Sequence, residues 1–344
     1  MEILDIFGSD TAFKMATLTQ TINHGDYKPG RIGQLGLYEI DGVPTTTVVI
    51  EEEYSTLKLV PTSTRGGPAT PSSLDKRKAR PFVIPHIAVE DSIVADQLQN
   101  VRGYAQGMEP SAVLLMLQEL VNKKLAMLRD RLEPTIEYHR MGGIKGQILD
   151  SDGSTVIYNL FTEFGVSQQT AQMLLNTDTT DVNKQIRAAQ RLSLTALGNQ
   201  PIAGWHAFCG DSFFDKLVGH KQLRALYLNW QAAQILRDQV GAYALFNFGQ
   251  VMWENYRGSV GGVDFVPSTK AYLFPLGARG LFINNFGPSD YIDRVNNIPT
   301  PDGLPIEARQ WMPEGGKSVK VEAQSNPLCL CTKPRAVIEL AEDT

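Results

Sequence analysis

One stretch limits the possible folds more than any other. Val113, Leu114, Leu117, Leu120, Val121, Leu125, Leu128 and Leu132 recur at three- and four-residue spacing, which is one face of an α-helix. Glu109-Pro110-Ser111 opens it, with Pro110 near the first turn, where its missing N–H is harmless. Lys123, Lys124, Arg129 and Arg131 fall on the other faces. Pro134 should kink the helix, yet Ile136 and Tyr138 carry the stripe on until Gly142-Gly143, which predicts its end. A helix over about 110–141 makes a rod of roughly 45 Å. Helices of compact domains average nearer 12 residues, so the rest of the chain has to be arranged along this spine.

The residues ahead of the spine carry little core of their own. Residues 1–42 read as an extended arm, with turn formers at Gly25, Pro29, Gly30, Gly33 and Gly36. Only Thr11–Leu18 suggests a short helix, and an arm of this kind needs a partner surface to become ordered. Residues 43–88 read as a long hairpin. Thr45–Val60 is rich in Thr, Val, Ile and Tyr and predicts a strand. Pro61, Gly66, Gly67, Pro68 and Pro71 then supply turn chemistry, and Ala79–Ile87 returns, with Pro81 and Pro85 suiting an edge strand. A two-stranded ribbon is marginal alone in water, so this one is expected to lie on another surface.

Beyond the spine the pattern is mixed. Ile144–Leu149 and Thr155–Phe161 flank the turn Asp150-Ser151-Asp152-Gly153, a hairpin signal. An amphipathic helix is predicted over about 180–197 on Val182, Ile186, Ala189, Leu192 and Ala196, then a buried strand over Trp205–Cys209. Helical segments follow at about 212–218 and 221–238, with aromatic strands from Tyr243 to Phe286 and a proline-rich excursion from Pro288 to Pro313. Lys317–Ser325, Leu328–Thr332 and Ala336–Leu340 close the chain as short strands. The layout is α+β.

Composition narrows the function classes. Of 344 residues, 42% are hydrophobic, enough for a sizeable core, while 20% are charged, a little below the usual quarter or so. Such a surface suits a protein whose exterior is covered by other subunits. The net charge of -5 weighs against a protein that grips nucleic acid along its length. Three cysteines form no disulfide framework and point to a reducing compartment. No apolar run approaches the ~20 residues that cross a bilayer, and MEILDIFGSD lacks the plan of a signal peptide.

Catalytic and cofactor signals are weak. Gly315-Gly316-Lys317-Ser318 lacks the first glycine of a phosphate-binding loop, Trp311 standing in its place, and reads better as a turn into a strand. Asp150-Ser151-Asp152-Gly153 places its glycine too early for a calcium loop, and Phe161 stands where the bidentate Glu belongs. His206, Cys209, Cys329 and Cys331 are four conceivable zinc ligands, but the Cys-x-Cys spacing is tighter than a zinc knuckle uses. Buried core cysteines are the better reading. His206 with Cys209 is also a conceivable base and nucleophile, with nothing nearby in sequence to orient either. No nucleophile elbow and no dinucleotide glycine signature is present. The sequence therefore calls for no catalytic residue, cofactor or metal.

One basic cluster stands out: Lys76, Arg77, Lys78 and Arg80 on the returning arm of the hairpin, facing Glu51, Glu52 and Glu53 on the outgoing one. Opposite charges on a projecting ribbon suit pairing with neighbouring copies of the same chain, and these seven residues are the candidates for inter-subunit contact. Solvated, aggregation-blocking strand ends are the plainer reading.

Read in order, the chain resembles the lambda-type bacteriophage major capsid proteins, the capsid protein E family. The likeness is carried by Val83-Ile84-Pro85-His86-Ile87-Ala88-Val89-Glu90-Asp91, Val101-Arg102-Gly103 and His139-Arg140-Met141-Gly142-Gly143-Ile144-Lys145-Gly146 with the Asp150–Gly153 turn. It continues in Cys209-Gly210-Asp211, Trp253-Glu254-Asn255-Tyr256-Arg257-Gly258, Phe274-Pro275 and Gln324-Ser325-Asn326-Pro327-Leu328. The resemblance implies a self-assembling subunit of the tailed-phage capsid fold (Hong Kong 97 type). It divides the chain into an arm over 1–42, an extended hairpin over 43–88, a peripheral domain with the spine over 89–165, a mainly axial domain over 166–310 and C-terminal strands over 311–344. It further implies hexameric and pentameric capsomers, an icosahedral shell around double-stranded DNA touched only loosely, and assembly in the host cytoplasm. A portal and a decoration protein are implied partners. Because the chain starts almost at the arm, a separate scaffolding protein is expected. A membrane is not a partner.

Two competitors come from other classes. A hydrolase or metalloenzyme would use His206 with the cysteines, and a nucleic-acid-binding module would use Lys76 to Arg80. Neither accounts for the first 90 residues.

Overall fold

The computed structural model describes residues 15–24, 30–52, 78–94, 97, 110–198, 200–228, 245–260, 262–292, 305–315 and 317–343. Its long axis is one α-helix, Pro110–Lys145, of 36 residues or about 54 Å. The expected stop at Gly142-Gly143 does not occur. A Cβ on Gly143 would sit 2.6 Å from the Tyr38 hydroxyl and 3.0 Å from the Cys329 carbonyl, and one on Gly142 would meet the Ile148 backbone at 2.9 Å. The two glycines let the helix lie close on its neighbours, and the helix ends one turn later at Gly146, with φ +78°. Pro134 stays inside the helix.

Each half of the spine has its own core. Leu117, Val121, Leu125, Leu128 and Leu132 pack on Ile93, Val319, Val321 and Ala323. Those four come from an antiparallel sheet ordered Glu307–Trp311, Ser318–Ser325, Ile87–Val94. Tyr138, Met141 and Ile144 enter a second cluster with Phe208, Phe274, Phe282, Leu328 and Cys329. This cluster fills one face of a six-stranded sheet ordered Gln169–Gln172, Ile338–Ala341, Lys270–Leu276, Gly204–Cys209, Val251–Asn255, Leu245–Phe248. Trp205, Ala207, Cys209, Ala271 and Leu273 point to the opposite face, where Val182, Ile186 and Ala189 of the helix Val182–Leu197 cover them together with Phe213 and Leu217 of Asp211–Gly219. The two-residue alternation of a strand sorts the sheet into these two cores. In the Val182–Leu197 helix, Leu192 is exposed and Ser193 is buried in its place, donating to the Ala336 carbonyl.

A further three-stranded sheet joins distant parts of the chain. Glu39–Gly42 runs parallel to Phe282–Phe286, which is antiparallel to Pro327–Cys331. The fold is α+β, as the sequence predicts.

The N-terminal part departs from expectation. A helix is described over Met15–His24, running past the expected end at Leu18 (residues 11–14 lie outside the described residues), and it has a surface within its own chain. Leu18 and Ile22, one turn apart, are buried against the spine. The Thr19 hydroxyl accepts from the Ala308 amide at 3.0 Å and donates to the Ala308 carbonyl at 3.3 Å. The hairpin is described only at its root, Thr47–Glu52 paired with Lys78–Val83. Its return strand stops at Val83 rather than Ile87. Pro85 lies in the break, and Ile87 begins the strand that pairs with Ser318–Ser325. The hairpin tip, the helical segment beyond Leu228 and the middle of the Pro288–Pro313 excursion lie outside the described residues.

Candidate functional site

The root of the hairpin is built to show two faces. Cross-strand pairs point the same way, and the register pairs Val48 with Phe82 and Ile50 with Arg80. That face lies on the chain's own core: Phe82 is fully buried, its ring 5.4 Å from Tyr158 and 5.9 Å from Phe164, with Val48 and Ile50 beside it. The other face carries Thr47 with Val83 and Val49 with Pro81. Val83 and Val49 are 61% and 55% exposed. A ribbon apolar on both sides, with one side seated and one bare, is a surface that wants a partner.

The seven charged candidates divide. Arg80 turns inward, its guanidinium donating to the Phe164 carbonyl at 3.2 Å and lying 5.5 Å from the Phe164 ring centre. The backbone register sets Glu52 opposite Lys78 and Glu51 opposite Ala79. Glu53, Lys76 and Arg77 lie outside the described residues.

Behind the root, a buried polar joint ties the arm to both the spine and the six-stranded sheet. Glu254, on the strand Val251–Asn255, is fully buried. It accepts from Arg31 at 2.6 and 3.1 Å and meets the His206 Nε2 at 3.0 Å. Burial alone would raise the Glu254 carboxyl, but the bonds from His206 and Arg31 outweigh it and hold the group below its ordinary value. On the spine, Glu137 accepts from the Ile32 amide and from the Tyr256 hydroxyl. Burial raises its carboxyl against those bonds and the nearby Arg140. The Tyr38 hydroxyl donates to the Arg140 carbonyl. The arm segment from Arg31 to Tyr38 is thus fastened at three points.

Sequence reasoning missed this joint, since the partners of Glu254 lie 48 and 223 positions away. The readable signal was a carboxylate inside the apolar run Val251–Trp253 to Tyr256, because a buried charge has to be paired.

The enzymatic candidates do not converge. Glu254 does orient His206, which the sequence had left without a partner. Yet His206 and Cys209 are three positions apart on one strand, so the pleat sends them to opposite faces of the sheet. His206 lies edge-on to Phe208 and tilted against Phe274, while Cys209 lies in the core behind. Cys329 and Cys331 share the first core with each other and not with Cys209. Burial pushes both thiols up to about 12, the pattern of inert core cysteines. Among the described residues no group of three His, Cys, Asp or Glu is placed to hold a metal ion. Asp152 caps its turn by accepting from the Ser154 and Thr155 amides, as a hairpin turn requires.

Comparison with known proteins follows the same line. The family profile of the phage major capsid protein E matches residues 14–341. The chain belongs to that family. It is also similar to the major capsid protein of Salmonella phage Felix O1 (isolate Felix O1-VT1), with 23% identity over 369 residues and 96% of each chain covered. Its fold is similar to the crystal structure of a prophage protein of E. coli CFT073 described as a capsid protein. The TM-score there is 0.56 at 12% identity, covering 95% of this chain and 98% of that one. A phage major capsid protein is a shell-forming subunit, so the residues of interest are those that meet other copies. No helix among the described residues is long and apolar enough to cross a membrane.

Proposed function

We propose that the chain is the repeating unit of an icosahedral shell around phage double-stranded DNA, associating as hexameric and pentameric capsomers. The observation that carries this is the ribbon root, seated on its own core through Phe82 while Val49, Pro81 and Val83 stand bare on the other side. On this reading residues 1–42 act as the arm and 43–88 as the extended hairpin, which lies over a neighbouring copy. The spine and the sheet under its first half belong to a peripheral domain, and the six-stranded sheet to an axial domain at the capsomer centre. The chain acts as a structural protein rather than an enzyme.

The partners in this reading are a scaffolding protein during assembly in the host cytoplasm, a portal at one vertex and a decoration protein outside. The packaged DNA is touched loosely, since a net charge of -5 gives the wall little reason to adhere to it. Electron microscopy of the purified full chain, with scaffold where needed, should show shells, capsomers or tubes. A chain that stays monomeric under every assembly condition would overturn the reading. Val49→Lys with Val83→Lys should melt as the wild-type monomer does and yet fail to assemble.

A further inference from the structure

A cleft of about 380 Å³ opens beside the buried joint, lined by Arg31, Asp130, Glu133, Pro134, Glu137 and Tyr256 among others. Its one cation is already engaged, because Arg31 is bound to Glu254. Glu133 is paired with Arg129 at 2.6 Å. Asp130, on the exposed side of the spine, makes no ion pair among the described residues. The lining is therefore acidic.

Two further observations concern hydrogen-bond acceptors in the wall of the cleft. One oxygen of Glu137, Oε2, accepts no hydrogen bond although the residue is 4% exposed, its nearest cation being Arg140 at 3.6 Å. In addition, Pro134 has no N–H to give the Asp130 carbonyl one turn before it. Acidic side chains, a carboxylate oxygen without a hydrogen bond and a carbonyl deprived of its helical donor together suit an ammonium or guanidinium group. They do not suit a metal ion, for which no cluster of three ligands is gathered here.

We propose that this cleft receives basic side chains of a second copy of the chain, from Lys76 and Arg77 of the extended hairpin. The proposal rests on the shell reading and names the contact within it. Charge complementarity selects the occupant. Lys76-Arg77-Lys78 is the chain's densest basic run; Lys78 stands opposite Glu52 in its own ribbon, and Arg80 is turned onto Phe164. Lys76 and Arg77, one step nearer the tip in sequence, are the members of the run that the proposal assigns to the neighbour. Such a contact would set the angle at which the hairpin crosses its neighbour more than it would add affinity.

Charge exchange tests the contact. Asp130→Lys alone, and Lys76→Glu with Arg77→Glu alone, should each lower shell yield about tenfold or more, since like charges then meet. A chain carrying all three changes should assemble again, while the thermal unfolding of every monomer matches wild type. Normal assembly by either partial variant would overturn the proposal. So would failure of the combined variant with an intact monomer. Shells that form normally without the basic run but package less DNA would assign the run to nucleic acid and overturn it as well. Should the Asp130→Lys change disturb the helix, Asp130→Asn keeps the test open by making assembly less sensitive to salt; unchanged salt sensitivity would count against the contact. Absence of shells from the wild-type chain would instead defeat the shell reading itself.

Discussion

Tyr158 clasps Val83. Its hydroxyl accepts the Val83 N–H and donates to the Val83 carbonyl, both at 2.8 Å. The same ring lies edge-on to Phe82. The hairpin Gln147–Leu149/Val156–Asn159 thereby holds the foot of the ribbon, and the direction in which the ribbon leaves the body is set there.

Tyr158→Phe keeps the ring and removes the clasp. Two partly exposed hydrogen bonds contribute about 1–2 kcal/mol together. Urea unfolding should show a loss of that size, and hydrogen exchange at the Val83 amide should quicken more than exchange in the six-stranded sheet. An unchanged Val83 amide would show that the clasp does not hold the root.

Glu254→Ala should be among the most damaging single changes in the chain. It leaves Arg31 and His206 in a buried site without their anion, and breaking such a pair from one side costs about 3–5 kcal/mol. Glu254→Gln, which keeps the shape and one acceptor, should cost clearly less. Equal effects of the two changes in denaturant unfolding would mean that packing, not charge, matters at this position.

Stability should fall on mild acidification. His139 is buried with neither ring nitrogen hydrogen-bonded, and burial lowers it to about 4, opposed only by Asp150. The unfolded chain holds histidine near 6.5. Between those values the unfolded state binds more protons, so stability is full at neutral pH and drops as pH falls from about 6.5 toward 4. A gap of about 2.5 pH units at about 1.4 kcal/mol each gives a loss of about 3 kcal/mol. His139→Leu should flatten that limb. Groups held low, such as Glu254, yield stability only at more acid pH, as their carboxylates protonate. A His139→Leu profile that still falls between 6.5 and 4 would assign the acid limb elsewhere.

Gly143→Ala should destabilise although alanine is the better helix former. The added Cβ meets backbone at the Cys329 carbonyl and cannot be relieved by a rotamer change. Overpacking of this kind costs about 1–3 kcal/mol, more than the ~1 kcal/mol gained in helix propensity. Gly219→Ala, with nothing within 4 Å of its Cβ position, serves as the control and should be neutral or mildly stabilising. A higher Tm for Gly143→Ala than for wild type would contradict the close packing.

What the sequence shows is what neighbours in sequence decide. The stripe from Leu117 to Leu132, the Asp150–Gly153 turn and the buried run Trp205–Cys209 are each local patterns, and each appears where it is expected. Gly142-Gly143 misleads because a glycine pair in a helix looks the same whether it ends the helix or admits a neighbour. Only the distant Tyr38 and Cys329 distinguish the cases. The arm looks coreless for a related reason: Leu18 and Ile22 become a buried pair only once the spine is beside them. The joint at Glu254 is invisible in the same way, since Arg31 and His206 lie 223 and 48 positions away. Which side of the ribbon is exposed was not legible in the sequence either, because it depended on Phe82 finding Tyr158 and Phe164.

The sheet that pairs Glu39–Gly42 with Phe282–Phe286 and then Pro327–Cys331 has a bearing on timing. Its first strand is made long before the two that complete it. Domains fold as units while synthesis proceeds, yet this sheet cannot close until Pro327–Cys331 has been made. A growing chain that lacks those strands leaves the edge of Glu39–Gly42 without its partner.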